Sequence, residues 1–515
     1  MRKQIAMCPP LSRSTILQGA FGATLLIAQI CCPPVATQAE EVIDIGSRLE
    51  LFVDRYLIDR LDGVQQRLHR PQPANIVIER DQPGGLWIGN GYAVFKDGDT
   101  YRLFYNSSNV MALAESSNGV DWTTPTIGLV DYRGTKENNV IGTTDGRLMI
   151  PDDEPMPEIF LDTRPGIPVD ERYKAFTLDE TDGVKVFAWV SGDARRFRKL
   201  QEPPIIHTRL YGAFDGSESM FWSDSEQCYV IYLRYYIRGE TEEENRRSIA
   251  RMTSKDFLHW SSPEPMTFGD GGVKPDAHIY NNQTDPYFRA PHIYISLAAR
   301  FMQGRQVISR KRADANSMKS RLVYKDDVVD WLIGDCSETI LMTTRGGGNH
   351  YDCTFKEALV RPGLGLENWV SRSNFALRGV IPTGEREMSM YVNRHNTQDS
   401  EHIRRYTWRL DGFASVQAPY AGGEMVTRPL RSTGTRLVIN YSTSAAGSVR
   451  VEIQDVDGQP LPGTSLQECD EIVGDEIRRL VRWNGQHDLT RFIRRPVRLR
   501  FVMRDADLYS IQFVQ

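Results

Sequence analysis

One unit of sequence returns along the first four hundred residues and restricts the fold more than any other feature. Residues 92–95 and 101–105 (YAVF and YRLFY) are short runs rich in β-branched and aromatic residues, joined by Lys96-Asp97-Gly98-Asp99. Such runs read as strands, and the Asp-Gly pair supplies the positive φ that a tight hairpin turn needs. The form returns at 219–222 and 229–233 across a polar turn, and at 160–162 and 172–176 across a longer loop containing Pro165 and Pro168. A second element follows each hairpin: residues 112–122 and 249–260 are a strand, a polar turn and a Trp (Trp122, Trp260), and 187–197 is a looser copy with Phe197 in the Trp place. Hairpin plus strand-turn-aromatic amounts to four strands, recurring at the roughly 40–70 residue spacing of propeller blades that carry loop insertions. Hairpins of a β-sandwich are the alternative reading. Long amphipathic helices are missing, so the fold class expected is all-β.

The chain has 515 residues, which at roughly 100–200 per domain predicts two to four domains. A net charge of −5 offers no basic field for a phosphate backbone, so nucleic acid is not an expected partner. Arg2, Lys3 and Arg13 precede an apolar stretch at 16–32, and Ala36-Thr37-Gln38-Ala39 follows a Pro-Pro pair. That order is a secretory signal, residues 1–39, with cleavage after Ala39 and a secreted or periplasmic product; an uncleaved anchor is the competing reading. Cys31, preceded by Gln29-Ile30, makes a poor lipidation site. Three positive and no negative charges leave with the signal, so −5 becomes −8. No integral membrane segment is expected after cleavage. Cys228, Cys336, Cys353 and Cys469 remain. Four cysteines in a chain this long are not a disulfide framework, and three connectivities are open to them. No CxxC, HExxH or Cys/His cluster supports a transition metal.

From about Ala418 the texture changes to strands with strong alternation at 422–430, 436–441, 448–454, 497–502 and 509–514, with Asp457-Gly458 as a tight turn. About a hundred residues of this kind predict a β-sandwich. The expected domains are a propeller over 40–417 and a sandwich over 418–515.

The stretch from Trp87-Ile88-Gly89-Asn90-Gly91-Tyr92 to Leu103-Phe104-Tyr105, with the S-x-N-G-x-x-W and S-x-D-x-x-x-W turns, resembles the five-bladed β-propeller glycoside hydrolases of families 43 and 32. The resemblance covers roughly 42–413 by architecture. It implies five blades with an active site at the axial funnel, often followed by a β-sandwich, and a poly- or oligosaccharide substrate. Family 32 enzymes typically carry an Asp after W-x-N in the first blade; here Trp87-Ile88-Gly89 is followed by Asn90, and an amide cannot be a carboxylate nucleophile.

Glycoside hydrolysis by this route needs two carboxyl groups flanking the scissile bond. Asp215 and Glu218 begin the third hairpin, Glu387 begins a late strand, Asp285 precedes the strand at 293–297, and Glu158 and Asp162 flank the second inner strand. Asp215 and Glu387 are the expected acid/base pair, with Glu218 as substitute and Asp162 and Asp285 as orienting or pKa-tuning groups. Turn-forming or capping carboxylates are the bland alternative for each. Substrate contacts are expected from Asn90, Trp87 and Asp352, and from Arg289, His292, Arg345 and His350, whose forked and ring donors suit an acidic sugar. Salt bridges within the protein are the competing explanation, for Arg300 as well. Trp222 and Tyr287 are stacking faces or core. The Gly346-Gly347-Gly348 run is not a P-loop, since no Gly-Lys-Ser/Thr follows. No cofactor is expected; Asp and backbone oxygens are plentiful enough for an axial Ca2+, but no EF-hand-like loop argues for it. Competing functions are a non-catalytic carbohydrate-binding propeller and a lyase or sialidase-like enzyme, the latter resting on Tyr351 near His350 and Arg345. Oligomeric state is not legible.

Overall fold

The computed structural model describes residues 41–79, 91–107, 110–147, 158–216, 218–319 and 328–515. The signal over 1–39, Trp87 and Asn90 lie outside them. Among the described residues no helix is long and apolar enough to cross a membrane.

The chain forms a five-bladed β-propeller. Blade 1 is the antiparallel meander Gly91–Asp97, Thr100–Ser107 and Val110–Ser116. Blade 2 is built on Glu158–Leu161, Tyr173–Asp179 and Val184–Ser191, and blade 3 on Ser219–Ser223, Cys228–Ile237 and Arg246–Ser254. Blade 4 takes Thr284–Tyr287, Ala290–Met302 and Cys336–Arg345. Blade 5 takes Ile381–Pro382, Glu387–Arg394 and His402–Arg409, and its outer strand, Gln72–Glu79, comes from the opposite end of the chain. That pairing closes the ring. Inner strands touch around the axis between blades 1 and 2, 2 and 3, 3 and 4, and 5 and 1.

The strand-turn-aromatic element is one hydrogen-bonded device used three times. In blades 1, 2 and 3 the Oγ of Ser116, Ser191 and Ser254 accepts the backbone N–H groups two and three residues on, at 2.9–3.3 Å. The side-chain oxygen of Asn118, Asp193 or Asp256 accepts the next two N–H groups at 2.8–2.9 Å. The residue between, Gly119, Ala194 or Phe257, adopts φ of 71°, 63° or 73°. Short polar side chains that mimic backbone turns satisfy donors that would otherwise face the blade edge unpaired. Trp122 and Trp260 each donate Nε1–H back to the carbonyl of that left-handed residue, at 3.2 and 2.9 Å.

The carboxy-terminal layer is an eight-stranded antiparallel sheet, and two expectations about it change. The segments expected as four strands are two continuous ones, Arg436–Gln454 and Arg498–Val514, which pair from Arg436↔Val514 to Gln454↔Arg498 and absorb irregularities at Asn440/Tyr441 and Thr443/Ser448. Bulges bend a strand without ending it, so alternation broken at a bulge imitates a strand end. Leu49–Leu51, Ile58–Asp62 and Gln65–Leu68, expected within the propeller, are also hydrogen-bonded into this sheet. A boundary at 418 therefore describes only one of the two chain segments that build it. The four cysteines are free, three buried and Cys353 half-buried.

Gly379, at φ 105° where blade 5 abuts blade 1, has no room for a side chain because a Cβ would meet the carbonyl of Val94. Replacing it with Ala combines strain with a backbone clash. Gly379→Ala is expected to cost about 3 kcal/mol, read as a lowered denaturation midpoint; an unchanged midpoint would mean the blades do not meet there.

Candidate active site

Propeller inner strands run parallel around an axis, so their first residues meet at one mouth; the parallel bridge Ala93↔Arg378 fixes that register between blades 1 and 5. Tyr92, Glu158 and Glu218 stand at the starts of the inner strands of blades 1, 2 and 3 and are all buried. Glu218 Oε2 accepts the backbone N–H of Arg234 at 3.1 Å, and Oε1 is buried with no hydrogen-bond partner among the described residues. Burial pushes the Glu218 carboxyl well above its ordinary value, the Arg234 charge opposes this, and the negative charges of Glu158 and Asp215 reinforce it. Burial and Glu158 likewise raise the Tyr92 phenol. Burial, reinforced by the charges of Glu158 and Asp215, thus favours the protonated form of Glu218.

Arg234 lies in the otherwise apolar strand CYVIYLRYYI and is 2% exposed. Its guanidinium bonds Asp215 Oδ2 at 2.7 Å, donates to the Tyr280 carbonyl at 3.0 Å and stacks 4.6 Å from the Tyr280 ring centre. Gly216 leaves space for it, since a Cβ there would come within 2.9 Å of the guanidinium. Phe214 at φ 61° turns the chain so that Asp215 is displayed above, where the Tyr236 hydroxyl also donates to it at 3.1 Å. Beside Asp215 opens a cleft of about 670 Å³ whose lining includes Tyr211, Tyr236, Asn245, Arg247 and His278.

Beneath the mouth, Arg378 crosses the axis. It is 4% exposed and donates to the carbonyls of Ile159 in blade 2 (2.6 Å) and Met220 in blade 3 (3.2 Å), and to Asp285 Oδ1 in blade 4 (3.0 Å). The Asp285 side chain keeps 30% of its surface open. Burial raises its carboxyl, and Arg378 partly restores it.

The structure separates the remaining expected residues from this mouth. Glu387 pairs in register with Arg409 at the far end of blade 5, bonds Thr383 and Arg405, and does not meet Asp215. Asp162 lies at the closing end of its inner strand, where Lys174 and the Tyr229 hydroxyl hold it at 3.2 and 2.6 Å. Arg289 bonds buried Asp411 at 2.6 Å, which also accepts from Tyr287, Asn440 and Ser510 at the seam with the carboxy-terminal sheet. His292 and Arg345 bond buried Glu50 at 3.0 and 2.9 Å, and Arg345 also grips Asp54 at 2.8 Å. Despite burial, which alone would raise it, the Glu50 carboxyl is pulled below its ordinary value by His292 and Arg345. Arg300 bonds Glu338 at 2.9 Å, Asp352 accepts the Thr354 N–H, and His350 bonds Thr267 at 2.9 Å. Salt bridging thus accounts for Arg289, Arg345 and Arg300. Tyr351 bonds Thr284, His350 bonds Thr267 and Arg345 bonds Glu50 and Asp54, so these three side chains are engaged by different partners, and Trp222 is core. Among the described residues no group of three His, Cys, Asp or Glu side chains is arranged to hold a metal ion.

Arg234, Arg378, Arg247 and His278 were not singled out by sequence. A lone Arg among nine apolar residues in a ten-residue strand is a signal for Arg234, because an unpaired buried charge is untenable. Arg378, in Phe375-Ala376-Leu377-Arg378-Gly379, has no comparable local mark.

No family model and no curated protein matches the chain. Among solved structures it is similar to a glycoside hydrolase, at 12% identity and a TM-score of 0.42 over 66% of this chain and 92% of that one. It is also similar to a thermostable family-43 glycoside hydrolase (14%, 0.37, 67% and 95%). A third is the Bombyx mori family-32 β-fructofuranosidase (10%, 0.37, 87% and 94%). These likenesses concern the course of the backbone alone.

Two outcomes are expected. Arg378→Met leaves Asp285 without its partner and should destabilise the fold by about 3 kcal/mol, with Asp285→Asn in the same chain recovering part; equal stability of Arg378→Met and the parent would show that Arg378 does not tie the blades. The second concerns pH. Because the folded state keeps a proton on Glu218 that the unfolded chain releases near 4.5, that contribution is full below 4.5 and is lost as pH rises through the elevated value. Glu218→Gln should therefore gain stability relative to the parent between pH 4.5 and 8 in urea titrations. Parallel curves would exclude a protonated Glu218.

Proposed function

We propose that this chain is a glycoside hydrolase acting at the mouth of the propeller axis on a poly- or oligosaccharide, exported as the mature chain that begins at Glu40. The observation that carries the reading is that Glu158 and Glu218 stand buried at the heads of adjacent inner strands, where burial and the Glu158 charge raise the Glu218 carboxyl. A general acid must hold its proton at working pH, and burial beside a like charge achieves this. Glu218 protonates the departing glycosidic oxygen, and the negative charge of Glu158 stabilises the oxocarbenium-like centre that develops as the bond breaks. Arg234 positions both Glu218, through its backbone N–H, and Asp215, through its guanidinium, so it acts as a positioning residue. Asp215 faces the cleft and contacts substrate.

The seal over Glu218, 1% exposed, favours a second reading, a propeller that binds carbohydrate without cleaving it.

Hydrolysis of a panel of plant and marine polysaccharides and aryl glycosides by the mature chain separates the two. Glu218→Gln should lower turnover by about 10²–10⁴-fold with KM little changed, and the parent's rate should fall as pH rises through the elevated Glu218 value. Glu387→Gln, at the far end of its blade, tests the alternative acid: a comparable loss there would move the chemistry away from the mouth. Binding without product release, indifferent to Glu218→Gln, would favour the binding reading.

A further inference from the structure

Three guanidinium groups surround one aromatic ring at the mouth. Arg234, Arg247 and Arg372 lie 4.6, 5.2 and 5.7 Å from the centre of Tyr280. Arg234 is matched by Asp215, whereas Arg247 and Arg372 have no carboxylate partner among the described residues. Arg247 donates to Nδ1 of His278 at 3.2 Å and is backed by the rings of Tyr236 and Phe301 at 5.1 and 5.3 Å. Arg372 adopts φ of 61°, a left-handed conformation that an arginine takes only at a cost, and this turn lays its guanidinium over Tyr280 and Trp331. Tyr280 is tied to the site through Arg234, whose guanidinium donates to the Tyr280 carbonyl at 3.0 Å and whose backbone N–H donates to Glu218 at 3.1 Å.

The local field has a second witness. His278 is pushed down to about 4 by burial and by the positive charges of Arg246, Arg247 and Arg234, so it is neutral and accepts rather than adds a cation. Glu180 and Glu242 also border the cleft, but both are exposed, where water and salt screen them. Asp215 offsets only Arg234, and cations left without an anion are unfavourable, more so out of water. The side chains present the forked donors that bind carboxylate and sulfate in two-point fashion.

We propose that Arg247 and Arg372 form a subsite for the anionic group of an acidic sugar, a uronate carboxylate or a sulfate ester, held over Tyr280 next to the bond to be cleaved. The inference rests on the reading of this mouth as carbohydrate-active and adds the substrate class.

The test is calorimetric binding and product release by the mature chain, using trigalacturonate against its methyl ester, and a sulfated galactan oligosaccharide against its desulfated form. One anionic member should bind at least about tenfold more tightly than its neutral partner, and that preference should shrink with added salt. The responding pair identifies carboxylate or sulfate. Arg372→Ala, at an exposed position, and Arg247→Lys, which keeps charge but removes the fork, should each reduce the preference. Equal binding of both members of each pair, no binding of either anionic member, or a preference that survives both substitutions would overturn the subsite. Anion-selective binding without product release would leave the subsite standing and overturn the hydrolase. Product release from neutral and anionic members alike, abolished by Glu218→Gln, would do the reverse.

Discussion

The ring of blades depends on a cation at its centre. Five sheets splayed around an axis cannot fill it with the interdigitating side chains that pack one sheet on another, and the inner strands expose carbonyl groups there. Arg378 meets two of those carbonyls and one carboxylate, so a single side chain from blade 5 is bonded to blades 2, 3 and 4. Its low exposure makes each bond stronger than it would be in water, and makes its loss correspondingly serious.

Above this tie, charge is sorted by depth and by face. The pairs that join the propeller to the carboxy-terminal sheet, Arg289 with Asp411 and Arg345 with Glu50 and Asp54, are complete within the protein. At the mouth they are not. Among the described residues Glu218 keeps an oxygen without a partner, and Arg247 and Arg372 keep cationic heads without carboxylates. Buried polar groups are ordinarily satisfied, and the open oxygen of Glu218 belongs to the residue on which the proposed chemistry turns.

Local structure was legible in the sequence wherever short-range chemistry decides it. The Asp97-Gly98 hairpin, the Ser-x-Asn and Ser-x-Asp turns and the aromatic residues behind them are written in a few adjacent positions, and they carried the propeller with them. Glu218 was within reach for the same reason, since it stands at the head of a recognisable hairpin. What sequence did not disclose is the pairing of distant segments: Gln72–Glu79 with His402–Arg409, or Leu49–Leu51 with Arg498–Val514. Alternation tells which face of a strand is buried and not which strand lies beside it. Arg345 and Glu387 show the same limit from the side of the site, because a charged residue in a loop or at a strand end looks alike whether it faces the axis or a seam.

The outer strand of blade 5 also imposes an order of events on the molecule's assembly. Gln72–Glu79 leaves the ribosome more than three hundred residues before His402–Arg409, the strand it needs. The first four blades can form as each meander is completed, because their partners are near neighbours in sequence. The ring cannot. Until the last blade is made, the amino-terminal strand is an unsatisfied edge of the kind that recruits wrong partners. Closure over so long a loop is slow, although its entropic cost grows only with the logarithm of the loop length. Once closed, the amino-terminal segment is held twice, in the eight-stranded sheet over 49–68 and in blade 5 over 72–79, so the late, slow step of folding becomes a latch against unfolding.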